Sequence, residues 1–121
     1  MSLQKIIVNG VAIVEGPVNH HLMVTEDDIM LVLDACANED SSHVLLYSEN
    51  LPNEFFNLKS RQAGNMLQKL RNYNIKLAVI LTDSSLLEGR FGEMVNEEKA
   101  GSDFAVFSER EPALKWLSEN L

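Results

Sequence analysis

The chain has 121 residues, 45% of them hydrophobic, and a formal charge of -8 from ten Lys and Arg against eighteen Asp and Glu. That is enough for one domain, with a core that needs no disulfide or metal, and not enough for two. The acidic balance and scattered basic residues exclude an ordinary nucleic-acid-binding domain, no apolar run approaches the roughly 18 residues that span a bilayer, and a lone cysteine, Cys36, excludes an internal disulfide.

The reading is therefore a single α/β domain over residues 1–121. With one thiol in an apolar context (LDACAN) and no visible signal peptide, the expected location is the cytoplasm. Two β-branched runs, Ile6 to Val8 and Val11 to Val14, flank Asn9-Gly10, a strong signal for a hairpin because both positions accept positive φ. Gly16-Pro17 stops the second strand. Thr25 opens a helix, with Asp28 three residues on as an acidic variant of the capping box. Ile29, Val32, Leu33 and Cys36 repeat at helical spacing and form its buried stripe. Val44 to Tyr47 is a third strand.

A long helical segment follows and ends near Asn72 to Asn74. Its stripe is read as Ala63, Met66, Leu67, Leu70 and Tyr73. Leu77 to Leu81 is apolar at every position, the mark of a parallel strand covered on both faces. Ser84 to Gly101 holds a weak helix around Met94 and Val95. Phe104 to Phe107 is a fifth strand. Ser108 to Leu121 is a closing helix, with Ser108 and Glu111 at capping-box spacing and Pro112 in its first turn. Alternating helices and strands imply right-handed crossovers and a mostly parallel five-stranded sheet with an N-terminal hairpin and about four helices. Any ligand crevice is expected beyond the carboxyl ends of the strands.

The stretch FFNLKSRQAGNMLQKL, with Tyr73 after it, is similar to the signature of an uncharacterised bacterial domain-of-unknown-function family of the DUF 4180 type, whose pattern reads FFDLKT, then LAGEILQKF and NY. The resemblance runs on through Lys76 to Ile80, Glu97 and Gly101 into Phe104 to Phe107. The element order also resembles that of STAS-type domains (sulfate transporter and anti-sigma-antagonist domains). The family resemblance implies a small α/β domain and carries no established activity. This chain departs from the pattern at Asn57, where the family has Asp, and at Asn65, where it has Glu. An amide keeps a hydrogen bond but cannot serve as a general base.

Gly64, inside the second helix, costs about 1 kcal/mol relative to Ala. Close helix-to-sheet packing by Ala63 and Gly64 is the expected compensation, and an open backbone for a partner is the alternative. Lys59, Ser60 and Arg61 lie at the entry to the helix, where free N–H groups attract anions. Ser60 is read as an N-cap, with a phosphoacceptor role as the alternative from the STAS analogy. Glu49, Asp83 and Glu109 each follow a strand and could share one sheet edge. His20, His21 and His43 have no zinc-like spacing, so no metal, cofactor or catalytic triad is assigned.

The function expected is non-catalytic binding or regulation, with a partner protein or small ligand meeting Glu49, Phe56, Asn57, Lys59, Ser60, Arg61 and Asp83. The alternative is a small enzyme using carboxylates at that edge. Self-association through the hairpin is a third class.

Overall fold

The computed structural model describes residues 3–18, 20–56, 61–81 and 103–119. Asn57, Lys59, Ser60 and Asp83, and the weak helix expected over Ser84 to Gly101, lie outside the described residues. The first two strands are β1 (Gln4–Val8) and β2 (Val11–Glu15). The turn between them places Asn9 at φ 51° and Gly10 at φ 79°, the pair of left-handed positions an Asn-Gly hairpin needs.

A single 3₁₀ turn, Glu26–Asp28, leads into α1 (Ile29–Asn38). The Asp28 carboxylate accepts from the backbone N–H groups of Val24 (2.7 Å) and Thr25 (3.1 Å), which pulls its pKa below the ordinary value. Then come β3 (His43–Tyr47), two more 3₁₀ turns at Ser48–Asn50 and Asn53–Phe56, α2 (Gln62–Asn72), β4 (Lys76–Ile80), β5 (Phe104–Phe107) and α3 (Arg110–Ser118). The described residues thus hold three α-helices.

The sheet order is β1-β2-β3-β4-β5, with β1 antiparallel to β2 and each later pair parallel. One face of the sheet packs against α1 and α2, through Val14, Val44, Leu46, Leu77 and Val79 on the strands and Val32, Leu33, Met66 and Leu70 on the helices. The other face packs Ile13, Leu45, Ala78 and Ile80 against Ala113, Leu114 and Leu117 of α3. Helices on both sides explain why β4 is buried at every position. Lys76 opens that strand at 8% exposure; its Nζ lies 4.0 Å from the centre of the Trp116 ring and donates to the Trp116 carbonyl at 3.2 Å.

Four expectations are corrected. Tyr73 is not part of the buried stripe of α2: it is 62% exposed, because the helix has ended and Asn74 turns left-handed at φ 58°. Gly64 is not a packing contact: it is exposed, and a Cβ built on it would meet nothing within 4 Å. The N-cap of α2 is Arg61 rather than Ser60, and that of α3 is Glu109 rather than Ser108. Among the described residues the strand order follows the chain order.

Candidate functional site

At the carboxyl ends of β2 and β3, the backbone is tied down by one buried amide. Asn50 Oδ1 accepts from the Tyr47 N–H at 2.8 Å, and its Nδ2 donates to the carbonyls of Pro17 (2.7 Å) and His20 (2.9 Å). The Met23 N–H donates to the Asn50 carbonyl at 2.9 Å. Asn50 lies over Gly16 so closely that a Cβ there would sit 2.3 Å from Oδ1. Glycine is required at position 16 for space, and the loop leaving β2 is locked onto the loop leaving β3.

On the α3 side of the same edge lies a charged clamp. Arg110 grips Glu15 with both arms, Nε to Oε2 at 2.8 Å and Nη2 to Oε1 at 3.1 Å, and the Tyr47 hydroxyl donates to Oε2 at 2.7 Å. Burial pushes the Glu15 pKa up, but the hydrogen bonds from Arg110 and Tyr47 and the Arg110 charge outweigh it, so the net shift is downward. Burial, then the Glu15 hydrogen bond and charge, push Tyr47 up to about 12. With three donors on its carboxylate, Glu15 is placed as a structural anion rather than a base poised for proton transfer.

Three of the residues expected to form a site are described: Glu49, Phe56 and Arg61. Glu49 is half-buried and accepts from Ser48 Oγ at 2.7 Å. Phe56 packs edge-on against the buried Phe55, ring centres 5.3 Å apart. Arg61 is exposed at the start of α2, which contacts the Asn53–Phe56 turn. Arg61 holds φ 63°, a left-handed conformation, with no side-chain cap bond at the helix it opens. Glu109 is exposed at the start of α3. Cys36 is buried, and burial pushes its thiol up to about 11, far from a reactive thiolate. Among the described residues no three His, Cys, Asp or Glu side chains are grouped to hold a metal, and no helix is long and apolar enough to cross a membrane.

Residues 8–117 match the family model described as "Domain of unknown function (DUF4180)". The chain belongs to this family. No curated protein and no solved structure matches it. Asn65, where the resemblance implied Glu, donates from Nδ2 to Glu26 Oε2 at 2.8 Å. A carboxylate at position 65 would face that of Glu26 and repel it. In this DUF4180 member the amide therefore joins the start of α2 to the turn before α1.

Sequence reasoning missed Gly16, Asn50, Glu15, Tyr47 and Arg110. Gly16-Pro17 signalled only a stop. The pairing of Glu15 with Arg110 spans 95 residues, and nothing local announces it.

Proposed function

We propose that this domain is a non-catalytic binding or regulatory module that docks a partner protein against the entry of α2. The observation that carries this is a pair of local costs three residues apart. A left-handed backbone costs a residue such as Arg about 1–2 kcal/mol. An exposed helical glycine costs up to about 1 kcal/mol relative to Ala. Gly64 stands in open space, so close packing does not compensate it. Local choices that cost stability in this way concentrate where a surface serves something outside the fold. A bare helix backbone allows close approach, and the adjacent Arg61 gives an acidic chain a cation to present.

The proposed surface extends into the loop from Glu49 to Arg61, with Phe56, Asn57, Lys59 and Ser60. The order of elements, like that of STAS-type antagonists, supports a regulatory role in a bacterial cytoplasm, with Ser60 placed between the third strand and second helix. The competing enzymatic reading needs a free acid or base among Glu49, Asp83 and their neighbours. Glu15 at the same end of the sheet does not supply that group, since three donors hold its carboxylate.

The test is quantitative capture of partner from the protein's own host with wild type and Gly64→Gln. The proposal expects a partner at fixed stoichiometry with the wild type, lost in a Gly64→Gln variant that is at least as stable. Retention of the partner by a folded variant would refute it.

A further inference from the structure

A groove of about 430 Å³ runs along α1 toward the exit of α2, away from the docking surface proposed above and independent of it. Met30, Leu33 and Ala37 of α1 and Ile75 supply apolar walls, and Tyr73, exposed beyond the end of α2, stands beside them. Its volume lies in the range of small-molecule sites, which combine apolar walls with a few polar groups. Here the charged groups in the lining are two carboxylates, Asp34 and Asp40. No ion pair joins either of them to another described residue.

The backbone adds to their negative potential. The last turn of α1 carries no basic residue, although a helix C-terminus holds roughly half a negative charge. Asp40 follows that turn at φ 52°, the left-handed position where a helix usually places Gly or Asn. The Ser41 N–H closes the turn onto the Cys36 carbonyl at 2.9 Å. Position 40 thus holds a carboxylate at the negative end of the helix dipole, where a cation is the favoured charge.

We propose that this groove binds a small molecule with an apolar body and a protonated amine. The apolar walls take the body, while Asp34, Asp40 and the helix end take the cation. Tyr73, in the same lining, supplies an aromatic ring that a bound cation can stack on.

The test titrates phenylbutylamine, phenylbutanol and phenylbutyrate into the full chain carrying methyl-labelled methionine. The Met30 methyl resonance reports the groove, and the buried Met23 and Met66 are internal controls. The proposal expects a saturable Met30 shift with the amine, at least about fivefold weaker binding of the alcohol, and the weakest binding by the carboxylate. Asp40→Asn keeps a side chain that tolerates the left-handed backbone; it and Asp34→Asn should each weaken the amine up to about fivefold and leave the alcohol unchanged. Tyr73→Ala should weaken both. The proposal is overturned by the absence of a saturable Met30 shift with the amine, by equal binding of amine and alcohol, or by Asn variants, shown folded by their spectra, that bind the amine like wild type.

Discussion

Gly16 and Asn50 form one unit, and a double-mutant cycle should reveal it. Asn50→Ala removes three hydrogen bonds at 2.7–2.9 Å and leaves the Tyr47 N–H and the Pro17 and His20 carbonyls without those partners. Each orphaned buried group costs about 1–3 kcal/mol, but the His20 carbonyl is part-exposed and water can reach it. The loss should be about 2–4 kcal/mol. Gly16→Ala reaches the same loss by another route. Its Cβ would sit 2.3 Å from Asn50 Oδ1 and 3.0 Å from Leu46 Cδ2, so the amide must leave its place. Once position 50 is Ala, the main obstacle is gone. The double variant should therefore cost about as much as one single variant, an interaction energy of about 2 kcal/mol or more. Urea unfolding of the four proteins measures it, provided the slopes agree. Additive losses would refute the claim that glycine is present to make room for the amide.

Gly64→Ala should raise stability by about 0.5–1 kcal/mol in urea unfolding, since it gains helix propensity and meets no neighbour; a loss would restore the close-packing reading. Arg61→Asn should likewise be neutral to stabilising, because Asn accepts the left-handed backbone. Glu15→Gln should cost about 1 kcal/mol near neutral pH, where part-exposed Arg110 is screened by water. Because the folded pKa of Glu15 is depressed, its contribution is present above the ordinary value of 4.5 and is lost as pH falls through the lower folded value. Wild type and Glu15→Gln should therefore converge in stability in acid, and a constant gap would contradict the clamp. Cys36 should react with a thiol reagent at pH 8 only after unfolding, at the rate of global opening; rapid labelling of the native protein would show the thiol to be accessible.

The fold was legible where chemistry is local. Asn9-Gly10 dictated its hairpin through two positive φ angles, and the LAVI run declared a strand covered on both sides. The stripes of α1 and α2 followed from helical spacing, except where α2 ended and released Tyr73 to solvent. The site was less legible because its contacts are distant in sequence. Asn50 bonds to Pro17 and His20 across about 30 residues, and Glu15 meets Arg110 across 95. The face taken by α3 depends on how the chain turns after β5, which periodicity does not encode. Gly64 is ambiguous in sequence for a physical reason: a missing side chain suits tight packing and bare exposure equally, and only its surroundings separate the two.

The central claim is that the entry of α2 is a docking surface, and native mass spectrometry of the protein isolated from its own host tests it most directly. Wild type should carry a partner protein at fixed stoichiometry, and Gly64→Gln, with unfolding stability equal to or above wild type, should appear without it. A wild-type protein that appears alone, or a folded Gly64→Gln variant that keeps its partner, would contradict the account.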